Sequence, residues 1–286
     1  MKLLEDLERE VKNKRIPLNN KNRIYLTSVR GEDYIVKFHE KEETKRVNDA
    51  LSLQEIAHKQ DFPCNFPLKN DFGTFTKEYM GGIITAYNYL KGQQLDSKIL
   101  WVNKVLDFAK LFSEFQEKYD GPKITYSRKG IHELIKDPVL GKNSLSEFQK
   151  DYLIDLSKFD KEICGGDSII HGDILPKNII QSLERKLNLI DFEKIMSGNL
   201  VGEIASSIFY SYLGTNLDLK KVYDSFSENI QEKMDLNLLD LKTAIAHKSA
   251  EYLVHRKINS NLGISKTREA IKAEGFFLQA IKLLEN

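Results

Sequence analysis

Ile169-Ile170-His171-Gly172-Asp173-Ile174-Leu175-Pro176-Lys177-Asn178, followed by Leu187-Asn188-Leu189-Ile190-Asp191-Phe192-Glu193, is the stretch on which the reading of this chain turns. Short apolar runs at Ile169-Ile170, Ile179-Ile180 and Leu187 to Ile190 surround polar residues, which predicts a loop and then a hairpin that ends at Asp191. Asp173 and Asn178 stand five residues apart on the loop, and Asp191 follows eighteen residues after Asp173. Transfer of a phosphoryl group from ATP needs oxygen ligands for a hard cation such as Mg2+. It also needs a separate carboxylate that positions a hydroxyl and accepts its proton. A loop bearing Asp and Asn, with a second Asp on the hairpin, offers both.

Outward from this stretch, the periodicity changes along the chain. Residues up to about 90 carry short β-type runs around one helical segment. Arg23 to Thr27 and Tyr34 to Phe38 predict a hairpin joined across Arg30-Gly31-Glu32-Asp33, and Thr76 to Met80 with Ile83 to Leu90 predict another broken at Gly81-Gly82. Between them, Glu43 to Gln60 reads as a helix with Asp49, Leu53, Ile56 and Ala57 on one face. From Ile99 onward the pattern is mostly helical: Val105, Phe108, Phe112 and Phe115 recur at helical spacing, Leu145 to Phe159 is amphipathic, and Ala270, Ala273, Phe277, Ile281 and Leu284 form a stripe that reads as core. No internal repeat or low-complexity tract occurs. The expected fold class is α+β, with a small antiparallel sheet and one main helix in an N-terminal lobe (1–90) and a larger, mostly helical lobe (91–286).

Composition narrows the function classes. With 286 residues the chain suits one two-lobed enzyme or two domains, and 43 Lys plus Arg against 42 Asp plus Glu leave a formal charge of +1. That balance gives no bulk drive toward nucleic acid or an anionic membrane. The longest uncharged stretch, Ile204 to Leu217, is short for a spanning helix, and the charged start at Met1 to Glu10 lacks a signal-peptide core, so the chain is expected to be cytoplasmic. Cys64 and Cys164 show no CxxC spacing, so neither a disulfide framework nor a structural zinc site is expected. No GxGxxG occurs, and Leu140-Gly141-Lys142-Asn143 lacks the first Gly and the Ser/Thr of a Walker loop. His247 and His255, eight residues apart on one helix, read as ordinary helix residues.

His171-Gly172-Asp173 with Asn178, and then Ile190-Asp191-Phe192-Glu193, resembles the aminoglycoside phosphotransferase and choline kinase superfamily, a small-molecule branch of the protein-kinase-like fold. The resemblance implies that Asp173 is the catalytic carboxylate, that Asn178 and Asp191 hold Mg2+, and that His171 braces the loop. It implies that Lys37, in Tyr34-Ile35-Val36-Lys37-Phe38, contacts the α- and β-phosphates of ATP, with GTP as an alternative donor. An acidic partner for Lys37 is expected on the following helix. Counting back from Phe62-Pro63-Cys64-Asn65-Phe66-Pro67 favours Asp49 over Glu55. Ala86 to Gly92, with Asn88, Tyr89 and Leu90, resembles the hinge whose backbone binds adenine. Ile16 to Asn22 stands where the family commonly has a glycine-rich phosphate loop and carries no Gly, while Asn22 fits a frequent family Asn. Asn19 and Asn20 tolerate left-handed backbone better than most residues. Phe112 departs from a His common in the family.

The reading is therefore an ATP-dependent kinase acting on a hydroxyl of a small molecule, with no nucleic acid, membrane or obligatory protein partner. An atypical protein kinase is the first alternative. Gly172 stands where regulated protein kinases place Arg, Leu175 where they place Lys, and only Lys194 to Leu200 separates Glu193 from the next helix, too little for an activation segment. A nucleotide-binding pseudokinase is the second, favoured by the missing loop glycines and opposed by Lys37, Asp173, Asn178 and Asp191. The acceptor stays open. From Asn199 to Asn286 acidic and basic residues are equal in number, which gives no acidic wall for an aminoglycoside. Phe209, Tyr210, Tyr212 and Tyr252 are available for a choline-type aromatic cage or for core packing.

Overall fold

The structure is a computed structural model that describes residues 3–13, 24–95, 102–117, 119, 124, 126, 129–141, 144–166, 168–213, 218–233, 237–263 and 267–285. Asn22 and the rest of the Ile16 to Asn22 loop lie outside them. In chain order the first elements are α1 (Leu3–Asn13), β1 (Ile24–Val29), β2 (Glu32–Glu40), α2 (Thr44–Lys59), β3 (Lys77–Tyr79), β4 (Gly82–Asn88) and β5 (Gly92–Gln94). Then come α3 (Val102–Glu117), α4 (Ile131–Leu134), α5 (Glu147–Ser157), α6 (Asp160–Cys164), β6 (Ser168–Ile170), β7 (Ile179–Ser182), β8 (Leu187–Leu189) and β9 (Met196–Gly198). Four helices close the chain: α7 (Leu200–Leu213), α8 (Leu219–Lys233), α9 (Leu238–Asn261) and α10 (Thr267–Glu285). This is the α+β architecture expected, with antiparallel strands toward the N-terminus and helices beyond. The described residues divide into two compact units. One holds those up to Leu95 together with Lys177–Lys194, and the other holds those from Val102 to Pro176 and from Ile195 onward.

In the first unit, two turns with positive φ make the hairpins. Arg30 and Gly31 (φ 57° and 84°) join β1 to β2, and Met80 and Gly81 (48° and 87°) join β3 to β4. Such pairs match the right-handed twist of the strands they connect. The sheet runs β1-β2-β4-β3, all antiparallel. Alternation along β2 sends Tyr34, Val36 and Phe38 to one face, where they pack with Ile84, Ala86 and Leu7 of α1. The opposite face carries Ile35, Ile83 and Tyr87 against Val47 and Leu51 of α2. Lys37 pairs in register with Thr85 and, two residues from Ile35, belongs to this α2-facing side.

The sequence pattern did not anticipate α1, because its charged run leaves Leu7 alone fully buried among its described side chains. The buried side of α2 keeps Leu53 and Ala57 of the expected face but adds Val47, Ala50, Leu51 and Gln54, and it leaves Asp49 a third exposed. A second sheet, β5-β7-β8, completes this unit from distant sequence. Gly92 is required there, since a Cβ would stand 2.2 Å from the Gln181 carbonyl oxygen. The Leu189 N–H donates to the Pro63 carbonyl (2.8 Å) and so ties β8 to the segment after α2.

In the second unit, β6 pairs with β9, and α3, α7, α8, α9 and α10 pack around an apolar core. Phe108, Phe112, Phe226 and Phe277 are all 1% exposed or less. The stripe expected on α10 is buried at Ala270, Ala273, Phe277 and Ile281, and ends on Leu283 rather than Leu284. Ser146 caps α5 by accepting from the Gln149 N–H while the Gln149 side chain accepts from the Ser146 N–H.

Candidate functional site

The first unit encloses a cavity of about 480 Å³ whose lining includes Ile24, Ile35, Lys37, Asn88, Tyr89, Leu90, Asn178 and Asp191. Six of the residues singled out from the sequence (Lys37, Asn88, Tyr89, Leu90, Asn178 and Asp191) thus meet at one place, drawn from β2, the end of β4 and the segments flanking the β7–β8 hairpin. Asn178 is 4% exposed and closes a short turn, Pro176–Asn178, just before β7. Its carbonyl accepts the Ile190 N–H at 2.8 Å, which fixes the foot of the hairpin beside Asp191. Asp191 holds a left-handed backbone (φ 71°), a conformation Asp tolerates better than most residues and one that recurs at functional sites.

Electrostatics centre on Lys37. Its Nζ donates to Asp191 Oδ1 at 2.7 Å and to both Glu193 oxygens at 2.9 Å, and lies 5.1 Å from the centroid of the Tyr87 ring. Tyr87, 1% exposed, donates its hydroxyl to Glu193 Oε1. Burial works against the Lys37 charge, but Glu193 and Asp191 outweigh it, so its pKa rises above the ordinary lysine value. Burial pushes Glu193 the other way for a carboxylate, up to about 7, with Lys37 offsetting part of the effect and Asp191 adding to it. The carboxylates at Lys37 are therefore not on α2 as expected. Asp49 accepts from Lys45 one turn earlier (2.7 Å), and Glu55 accepts from Lys69 and Lys59 (2.7 and 3.3 Å). With Val47, Leu51 and Gln54 turned inward, α2 presents neither acid to Lys37. Glu193, visible in the motif but unassigned from it, occupies that place.

Glu193 makes the folded state pH-dependent. Its pKa moves from 4.5 to about 7 on folding, so the native chain keeps a proton that the unfolded chain loses. Stability from this group is full below about pH 4.5 and is lost as pH rises to about 7, a change of roughly 3 kcal/mol. Denaturant unfolding at pH steps across that window should show the decline in the parent chain and a flatter profile in Glu193→Gln. Equal slopes for the two proteins would remove Glu193 as the source.

At the end of β4, the Asn88 N–H donates to the Phe66 carbonyl and the Tyr89 N–H to the Asp33 carbonyl, each at 3.1 Å. The Asn88 side-chain oxygen accepts from the Phe66 N–H at 2.5 Å. Asn88 and Tyr89 thus spend their N–H groups on pinning this segment to its neighbours in the chain.

In the second unit, the loop carrying Asp173 is held from below. Glu203 of α7, 2% exposed, accepts from the Gly172 N–H (2.7 Å) and the Ile174 N–H (3.3 Å), and Ser207 Oγ donates to the Ile174 carbonyl (2.7 Å). Gly172 takes φ 77°, which a side chain at that position would strain. His171 is fully buried with its ring edge-on to Phe112 at 6.2 Å, so the Phe that departs from the family pattern packs directly on the loop. Asp173 itself is 7% exposed. Glu203 was missed from the sequence, where it sits as a single acid in an apolar run. Phe209, Tyr212 and Tyr252 do come together around Phe276, Phe209 and Tyr212 edge-on and Tyr252 tilted, at 4.8 to 6.4 Å between centroids, as core packing with Arg256 over the Tyr252 ring.

No protein-family model matches the chain, and no curated protein matches it in sequence. In structure it is similar to the microcompartment-associated aminopropanol kinase, with a TM-score of 0.71 and 13% identity over 99% of this chain and 96% of that one. It is similar to the choline kinase LicA from Streptococcus pneumoniae, with a TM-score of 0.63 and 14% identity over 99% of both chains. A third similar structure is the amicoumacin kinase hAmiN in complex with AMP-PNP, Ca2+ and Ami (TM-score 0.66, 10% identity, 99% and 96% covered). The chain shares the fold of these kinases over nearly its whole length, the fold that the resemblance in the motifs implied.

Proposed function

We propose that the chain is a small-molecule kinase that transfers the γ-phosphate of ATP to a hydroxyl group. The observation that carries this reading is the single cavity lined by Lys37, Asn178, Asp191 and the hinge residues Asn88 to Leu90. An amide oxygen and a carboxylate lining one cavity suit a hard divalent cation, so Asn178 and Asp191 are the residues that would hold Mg2+. When bound, the ion supplies charge neutralisation on the phosphate oxygens. Lys37 adds a fixed positive charge toward the α- and β-phosphates, and the apolar Ile24 and Ile35 offer surface to the base.

Asp173 orients the acceptor hydroxyl and takes its proton as the new O–P bond forms and the bond to the β-phosphate oxygen breaks, releasing ADP. Bracing of its loop by Glu203 and Ser207 holds this carboxylate ready before substrate arrives. Similar structures include kinases named for choline, aminopropanol and amicoumacin, and on that support we put amino alcohols first among the acceptors to test. An ATP-consumption screen over aminopropanol, ethanolamine, choline, homoserine, thioribose analogues and aminoglycosides tests the reading. Acceptor-dependent ADP formation with at least one compound is expected; ADP release that is the same with and without every acceptor would count against it.

A further inference from the structure

A second cluster of chemically active side chains lies in the helical unit, away from everything used above. Helix α6 carries Asp160 and Cys164, and α9 carries His247 and Glu251. Each pair is four residues apart and so shares one helix face. Asp160, Cys164 and His247 bring a carboxylate oxygen, a sulfur and a ring nitrogen within 4.8 Å of one another. Asp160 is fixed by two backbone donors, the Ile131 N–H on Oδ1 and the His132 N–H on Oδ2, each at 2.8 Å. Its Oδ1 also lies 2.7 Å from His247 Nε2. A carboxylate so placed accepts, so Nε2 carries the hydrogen and the lone pair of the neutral ring falls on Nδ1. His247 is fully buried, and Nδ1 makes no hydrogen bond among the described residues. It faces Glu251 Oε1 at 3.3 Å, and the Cys164 thiol donates to the same oxygen at 3.2 Å.

We propose that this cluster is a site for a divalent transition ion of the zinc class, ligated by Cys164 Sγ, His247 Nδ1 and Glu251 Oε1. Asp160 acts behind the histidine, as the carboxylate that orients a metal-bound imidazole. Bonds of ~2.0–2.3 Å in tetrahedral geometry put neighbouring ligand atoms ~3.3–3.5 Å apart, close to the spacings around Glu251 Oε1. His247 Nδ1 and Glu251 Oε1, at that separation and without a hydrogen bond between them, are arranged as co-ligands are, and the Cys164 thiol gives up its bond to Oε1 as its proton leaves.

Charge also closes. The thiolate, Asp160 and Glu251 carry three negative charges, and Lys248, 2.9 and 3.1 Å from the two Glu251 oxygens, carries one positive. A divalent ion brings the sum to zero, with Lys248 retaining Oε2 as the ion takes Oε1. On binding, Cys164 releases its proton to solvent. Asp160, with its side chain 19% exposed, marks the route in, and water completes the shell. The site stands independently of the kinase reading.

Cobalt titration of the full chain after dialysis against a chelator tests it. Co2+ should bind at one equivalent with a near-ultraviolet sulfur-to-cobalt absorption, and Zn2+ should displace it and raise the melting temperature. Cys164→Ser should abolish that absorption while keeping the parent circular dichroism. Asp160→Asn should keep the absorption but weaken binding by ~10–100-fold. Failure of the parent chain to bind Co2+ saturably, as a protonated His247 bridging the two carboxylates would produce, overturns the site. So does an unchanged absorption in Cys164→Ser.

Discussion

Asp173→Asn is expected to transfer phosphate roughly 10²–10⁴-fold more slowly than the parent chain, the range a positioned base contributes, while binding Mg·ATP almost normally. The substitution keeps the shape of the side chain and removes its charge and its capacity to accept a proton. Because Glu203 and Ser207 grip the backbone on either side of Asp173, the loop should keep its course in the variant, so the loss is chemical rather than conformational. Isothermal titration with Mg·ATP, read beside steady-state turnover on the best acceptor, separates the two quantities. Parent-level turnover in Asp173→Asn would remove this residue from the reaction.

Asp191→Ala is expected to lose most of the metal-dependent part of ATP binding together with turnover, so that titrations with and without Mg2+ converge. The alanine variant also carries a backbone cost. At φ 71° a Cβ without a polar side chain is disfavoured by ~1–2 kcal/mol, so this protein should melt earlier for reasons unrelated to metal. Asp191→Asn is the informative companion, because Asn accepts left-handed backbone. It should keep the parent melting behaviour and still show weakened Mg2+ dependence. If Asp191→Asn binds Mg·ATP as the parent does, the metal role assigned to this carboxylate is wrong.

The two hairpins were legible because Gly31 and Gly81 punctuate alternating apolar runs, a signal contained within a dozen residues. That Asn178 and Asp191 line one cavity with Lys37 was legible for the same reason, since both sit at the foot of a short hairpin. The rotation of α2 was not. Asp49 and Val47 compete for the inward face, and the winner depends on Phe75, Ile83 and Tyr87, which come from elsewhere in the chain. The partner of Lys37 was hidden likewise, because Glu193 lies 156 residues away. Helix α1 offered too little apolar surface to be noticed, with Leu7 alone fully buried among its described side chains. The cluster at His247 shows the limit most clearly. Two helix faces separated by 87 residues leave no motif, and a search for paired cysteines passes over a set with one thiol, one imidazole and carboxylates.

The tie between β8 and Pro63, and the pairing of β5 with β7, have a consequence for the order in which the protein can be made. During synthesis the chain leaves the ribosome at ~5–20 residues per second, so the strands after Asn178 appear several seconds behind the four-stranded sheet. Until they arrive, the β5 edge offers unpaired backbone and Lys37 lacks both of its carboxylates. A nascent chain in that interval carries an open edge of the kind that recruits other strands. A fragment ending near Leu95 would stay in that state permanently. The early unit is completed only by Lys177–Lys194, which emerges well after the four-stranded sheet, and its folding therefore lags behind the synthesis of its own first strands.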